Sequence, residues 1–237
     1  MSAVQLIANY ACQLKCPHCV AEPSRAALPD YRMDLETVER FILASKGIVY
    51  NFVTIAGGEP LLWGHLAEAV GMLKAAKITT SLRVFTNGLR ADALTPPIVE
   101  ALDVVRISDH GQPLDACRAA VPPEKLQIVP RKKHTPLPTE IPTLARLPVG
   151  CFCRSYGVTE GRVFPCPLLP PNCRKLGIPI RPEFSTEISE GYMERIAERM
   201  GGPGHWGKFV LCAACVANVE IRQKNTPKNR SEPCESL

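Results

Sequence analysis

Apolar and polar positions keep two rhythms over the first 130 residues. Short apolar runs of strand length alternate with stretches whose apolar residues recur at helical spacing. QLIANY (5–10) is the first run. DLETVERFILASK (34–46) has helical spacing: Leu35, Val38, Phe41 and Ile42 share one face, and Asp34 stands where an N-cap is needed. NFVTIAGG (51–58) is a second strand, rich in β-branched residues and closed by glycines. HLAEAVGMLKAA (65–76) predicts a second amphipathic helix, and SLRVFTNG (81–88) a third strand. A short helix is expected over 91–102, with Pro96 and Pro97 as a break or as its first turn. DVVRISDHG (103–111) and KLQIVP (125–130) are the fourth and fifth strands.

Alternation of this kind implies a parallel sheet with right-handed crossovers. Functional residues in such sheets collect at the carboxyl ends of the strands. Suggestive segments stand at four of those ends: NYACQLKCPHCV (9–20), GGEP (57–60), TNG and SDHG. After about residue 140 the alternation stops. The Pro-rich stretches 121–150 and 165–183 look like extended linkers rather than helices. TEGRVFP is hairpin-like, with Glu160-Gly161 as its turn. A last helix is expected around 186–200, with Ile188, Tyr192, Ile196 and Met200 in register, before a polar, loose tail over 223–237. No internal repeat stands out.

Composition narrows the class. With 46% hydrophobic residues in 237, the chain has room for one α/β domain and a small appendage. No apolar run reaches the roughly 18 residues of a membrane helix, and no secretory leader opens the chain, so a soluble, cytoplasmic protein is expected. The charge of +5 comes from scattered residues and reads as a solvated surface. Eleven cysteines is the count that needs a cause. An odd number without a secretion signal argues against a disulfide framework and for metal or catalysis.

Cys12, Cys16 and Cys19 are spaced C-x3-C-x2-C. A zinc site would use four ligands; Cys16 and Cys19 make one knuckle, but Cys12 would be surplus. A structural iron–sulfur cluster also takes four cysteines. A third, competing reading is a four-iron cluster on three cysteines with one iron open. C-x3-C-x2-C after a first strand, followed by GGEP after a second, resembles the radical S-adenosylmethionine (SAM) superfamily. That resemblance implies an α/β partial (β/α)6 TIM-like barrel over 1–140. It implies a [4Fe-4S] cluster on Cys12, Cys16 and Cys19, whose open iron chelates SAM. Reductive cleavage would give a 5′-deoxyadenosyl radical that abstracts hydrogen from substrate, with a flavodoxin- or ferredoxin-type electron donor. Gly57, Gly58, Glu59 and Pro60 would contact the methionine amine, the glycines letting backbone approach the cofactor. His18 stands where the family commonly has an aromatic residue near adenine. Asn87 and Ser108 match places that bind ribose or carboxylate, and each reads equally as a turn-former. Backbone around Val129 would take the adenine-cradling role.

A second cysteine set follows. Cys151, nine residues, Gly161, four residues and Cys166 precede Cys212-x2-Cys215. This resembles the SPASM pattern in its truncated Twitch form. It implies one auxiliary [4Fe-4S] cluster on Cys151, Cys166, Cys212 and Cys215, in a domain over 141–222. Full ligation would make that cluster an electron carrier or a structural staple. A zinc ribbon from the same four cysteines is the competing reading. Cys153 rivals Cys151, and Cys173 is another possible ligand; Cys117 and Cys234 read as free thiols.

The layout is closest to the radical SAM dehydrogenases of 2-deoxy-scyllo-inosamine. The expected substrate is a small polar molecule (a sugar, aminocyclitol or nucleotide) undergoing oxidation, epimerisation or rearrangement. Eleven residues before Cys12 leave no room there for a peptide-leader domain. Arg106, His110, Arg131 and Arg154 are candidate substrate-handling residues, though each also reads as a surface cation. Cys153, Cys173 or Cys117 would be the thiol hydrogen donor if the reaction were an epimerisation. The alternatives are a peptide-modifying (RiPP) maturase, modification of a nucleotide within nucleic acid, and a non-catalytic zinc-binding module.

Overall fold

Eight strands form one sheet in the computed structural model, which describes residues 3–16, 19–130 and 155–199. They are β1 (Ala3–Asn9), β2 (Phe52–Gly57), β3 (Leu82–Thr86), β4 (Val104–Asp109), β5 (Leu126–Pro130), β6 (Ser155–Thr159), β7 (Arg162–Phe164) and β8 (Thr186–Glu187). The helices are α1 (Glu22–Ala27), α2 (Leu35–Ala44), α3 (Leu66–Ala76), α4 (Pro96–Ala101), α5 (Asp115–Ala120), α6 (Leu169–Lys175) and α7 (Tyr192–Arg199). The strand order is β5-β4-β3-β2-β1-β6-β7-β8. Strands β1 to β6 run parallel, while β7 and β8 return antiparallel. The expected mixed α/β architecture with a parallel sheet is what forms.

Pleating sends alternate residues to opposite faces. Val4, Leu6 and Ala8 of β1 join Val53, Ile55, Leu82, Val84, Val105, Ile107 and Val158 in the main core. Helical residues close that core from above: Phe41 of α2, Leu66, Val70 and Leu73 of α3, and Ile98 of α4. Each such side chain contributes about 1.5–3 kcal/mol on burial. The opposite face is different. Ile7, Tyr10 and Ala56 make a small apolar cluster there, and the row below it is polar: Gln5 pairs with Thr54, and Thr54 with Arg83.

The α2 cap forms as expected, Asp34 Oδ1 accepting from the Thr37 amide at 2.7 Å. The segment 91–102 divides into a 3-10 turn at Ala91–Ala93 and α4, with Pro96 in the first helical turn, where a missing N–H loses nothing. The linker expected over 165–183 is corrected: it contains α6, which also starts on prolines. The last helix begins at Tyr192 rather than 186. Thr186–Glu187 is an edge strand, and Gly191 turns the chain into the helix at φ 72°. Met200 lies outside the described residues. α1 and α5 have six residues each, too short for periodicity to reveal.

The expected hairpin is present. Glu160 and Gly161 have φ of 53° and 70°, as a two-residue turn between right-twisted strands requires. β6 lies beside β1, with Ala3 opposite Ser155 and Leu6 opposite Val158. The hairpin therefore extends the main sheet and brings its turn beside the residues that lead into the cysteine loop.

Candidate active site

The carboxyl ends of β1 and β2 are joined backbone to backbone. Gly58 N–H donates to Asn9 O at 2.8 Å and Glu59 N–H to Ala11 O at 2.7 Å. Asn9 Nδ2 adds a bond to Glu59 O at 2.9 Å. A Cβ on Gly57 would stand 2.3 Å from Asn9 O, and one on Gly58 2.3 Å from Ala11 O. The close approach that requires these two glycines is thus to β1 and its loop, a physical reason that the expected approach to a cofactor did not include.

Glu59 is fully buried. Its Oε1 accepts from Leu61 N–H at 3.0 Å and from Thr86 Oγ1 at 2.6 Å, and its Oε2 from Asn87 N–H at 2.7 Å. Burial pushes the carboxyl above the usual carboxylate range, against these three donors. Its carboxylate therefore fixes the ends of β2 and β3 and sets the place of Asn87.

Cys12, Cys16 and Cys19 are partly exposed on the loop leaving β1, and none is in a disulfide. The loop winds into α1 through Cys19 N–H to Cys16 O and Glu22 N–H to Cys19 O, both 3.2 Å. Arg25 of α1 holds Leu14 O at 3.0 Å. Burial raises the Cys12 thiol above its ordinary value. Asn87 Nδ2 stands 3.6 Å from Cys12 Sγ, while Asn87 Oδ1 accepts from Leu89 N–H at 2.9 Å. Asn87 thus forms its turn and faces the cysteine loop at once. His110 Nδ1 lies 3.6 Å from Cys16 Sγ, which places it against the loop. Gln112, which no sequence signal singles out, ties these ends together. Its Nε2 donates to Asn87 O at 2.5 Å and to Ser108 O at 3.0 Å, and its Oε1 accepts from His110 N–H. Ser108 and Val129 sit opposite each other on β4 and β5. Arg106 stacks over Phe85, 5.0 Å from the ring centroid.

Among the described residues no three His, Cys, Asp or Glu side chains converge as a finished metal site. The donor set nonetheless fits an iron–sulfur cluster: three thiols on one short loop, with Asn87 Nδ2 and His110 Nδ1 beside two of the sulfurs.

The second cysteine set is described in part. His18, Arg131, Cys151, Cys153, Arg154, Cys212, Cys215 and Cys234 lie outside the described residues. Cys166 Sγ accepts from Leu168 N–H at 3.4 Å, and its neighbour Pro167 covers β6 so closely that a Cβ on Gly157 would meet it at 2.5 Å. Cys173 is fully buried beside Phe164 and Leu169, and burial pushes its thiol up to about 11. Cys117 is fully buried in the main core and donates to Gly88 O at 3.2 Å. Neither of these two thiols is presented to a substrate, which argues against them as hydrogen donors.

Residues 6–108 match the family model of the Radical SAM superfamily. The chain is 30% identical over 106 residues to GTP 3′,8-cyclase of Chlorobaculum tepidum, covering 44% of this chain and 32% of that protein. It is 32% identical over 111 residues to GTP 3′,8-cyclase of Lactiplantibacillus plantarum, with the same shares. Molybdenum cofactor biosynthesis protein 1 of Bos taurus is 26% identical over 136 residues, 56% of this chain and 20% of that one. The chain thus spans about a third of the cyclases' length. Two crystal structures of BtrN share the fold. The complex with AdoMet and 2-DOIA has a TM-score of 0.63 at 19% identity, over 90% of this chain and 92% of BtrN. The open conformation has a TM-score of 0.59 at 20% identity, over 90% and 91%. The cysteine loop and the GGEP turn, joined at adjacent strand ends, both lie within residues 6–108, the stretch that matches the Radical SAM superfamily.

Proposed function

We propose that this protein cleaves SAM reductively and abstracts hydrogen from a small polar substrate, a sugar, aminocyclitol or nucleotide, leading to oxidation, epimerisation or rearrangement. The observation that carries the reading is the Cys12–Cys16–Cys19 loop, joined to the GGEP turn and faced by Asn87 and His110. When bound, a [4Fe-4S] cluster with SAM supplies a carbon radical strong enough to break an unactivated C–H bond. Cys12, Cys16 and Cys19 bind the cluster. Asn87, held by Glu59 and Gln112, keeps its amide toward Cys12. Ser108 and the backbone at Val129 line the next two strand ends and take the ribose and adenine sides of SAM.

A polar substrate is supported by the sheet face opposite the main core. Gln5, Thr54 and Arg83 form one row there, and Thr54 Oγ1 is buried with no hydrogen-bond partner among the described residues. The relatives differ in what their names state: a GTP cyclase in one case, and a complex with 2-DOIA in the other. The match over nine-tenths of both chains favours the BtrN layout over the cyclases. On the Twitch-like spacing, Cys151, Cys166, Cys212 and Cys215 would hold an auxiliary cluster able to take up the electron left after hydrogen abstraction, and Arg154 would serve the substrate.

The test is anaerobic reconstitution with iron and sulfide, then reduction and addition of SAM with aminocyclitols or GTP. Formation of 5′-deoxyadenosine, accelerated by one small polar compound and carrying deuterium from it when labelled, supports the reading. Iron-loaded, reduced protein that leaves SAM intact with every such compound overturns it.

A further inference from the structure

The cysteine loop is held at both stems by residues 150 positions later in the chain. Tyr10, two residues before Cys12, donates its hydroxyl to Glu160 Oε1 at 2.8 Å. The other oxygen, Glu160 Oε2, accepts from Arg174 at 2.7 Å. The second arm of the Arg174 guanidinium donates to Ser24 Oγ at 2.8 Å, on α1 just past Cys19. Tyr10, Glu160, Arg174 and Ser24 therefore make one continuous bridge from the entry of the loop to its exit.

Several observations show that the bridge is built rather than incidental. Glu160 and Arg174 are only 22% and 15% exposed, so the pair is partly desolvated and stronger than a surface ion pair. Glu160 has φ of 53°, a conformation that suits Gly or Asn far better; its carboxylate is what the position gains. Tyr31 OH accepts the Glu160 amide at 2.8 Å, and its ring packs 5.0 Å from that of Tyr10. Burial raises the Tyr10 hydroxyl well above its usual range, which keeps it protonated and a donor. Only a planar, two-armed cation joins Glu160 and Ser24 at once.

We propose that Glu160 and Arg174 are positioning residues for the cysteine loop. They fix the separation of the two stems between which Cys12, Cys16 and Cys19 are strung. The three thiols lie between these two stems, so the geometry available to a cluster depends on where the stems are held. This role rests on the reading of the three cysteines as cluster ligands.

The test uses the full chain with Arg174→Met, Arg174→Lys and Glu160→Gln. In iron-free protein, alkylation of Cys12, Cys16 and Cys19 is followed by mass spectrometry, with buried Cys117 as the internal control. The loop thiols of R174M and E160Q are expected to react several-fold faster while Cys117 stays protected; R174K falls between. In reconstituted, reduced protein, the SAM concentration giving half of the SAM-induced EPR change is expected to rise about 10–100-fold in R174M, with partial rescue in R174K. Wild-type rates and EPR response in all three variants would overturn the proposal. So would faster reaction of Cys117 together with the loop, which would mean general unfolding. If wild-type protein binds no iron at these cysteines, the cluster reading fails, and the alkylation result still decides whether the bridge holds the loop.

Discussion

Two regions hold the cysteine loop, and they do so by opposite means. At the GGEP turn the grip is backbone on backbone, with Gly57 and Gly58 pressed against Asn9 and Ala11. At the hairpin turn it is side chain on side chain, through Tyr10, Glu160, Arg174 and Ser24. The first grip tolerates no Cβ and takes no notice of salt or charge. The second tolerates small backbone shifts but depends on one carboxylate and one guanidinium. The difference teaches that the first region sets whether the loop can form, and the second how its stems are spaced.

The largest effect is expected from the ligands themselves: Cys12→Ala/Cys16→Ala/Cys19→Ala should abolish 5′-deoxyadenosine formation while the thermal transition is retained. Next comes the backbone grip. Gly58→Ala drives a methyl into the Tyr10–Ala11 backbone and should destabilise by about 3 kcal/mol, read from denaturant midpoints. A loss under about 1 kcal/mol would show that the strand ends yield easily. Glu59→Ala leaves three donors without their acceptor, and about 2–3 kcal/mol is expected.

Glu59 also predicts a pH dependence. Its folded carboxyl titrates above its unfolded value near 4.3, so between those values the native state holds a proton that the unfolded chain releases. Stability from this group is present below about 4.3 and is lost as pH rises through the folded value. E59Q should lack that part of the slope in a pH series of melting curves. Smallest of all, Cys117→Ala and Cys173→Ala are expected to leave product formation unchanged, since both thiols are sealed in apolar clusters. Loss of product in either, with 5′-deoxyadenosine formation retained, would reopen the thiol-donor idea.

Most of the parallel sheet was legible because its cause is local. Phe52–Gly57 and Leu82–Thr86 are β-branched or apolar runs ended by turn residues, and Asp34 caps the helix whose face is Val38 and Phe41. The cysteine and GGEP motifs are likewise short, and their placement on adjacent strand ends follows from the parallel sheet. What escaped is what depends on distance or brevity. Gln112 is one residue in a turn, and its use appears only when β3 and β4 stand side by side. Arg174 and Ser24 meet across 150 positions. α6 hid behind Pro170 and Pro171, because prolines that end a helix elsewhere are accommodated in its first turn. The internal role of Glu59 was hidden for a related reason: two of its three donors, Thr86 and Asn87, reach it only when β2 and β3 stand side by side.

The most direct test of the account is iron and acid-labile sulfide per chain after anaerobic reconstitution, for wild type and for the variant lacking Cys12, Cys16 and Cys19. The account predicts about eight irons in the wild type and about four in the variant, one four-iron cluster for each cysteine set. Equal iron in the two proteins, or zinc in place of iron, would contradict it.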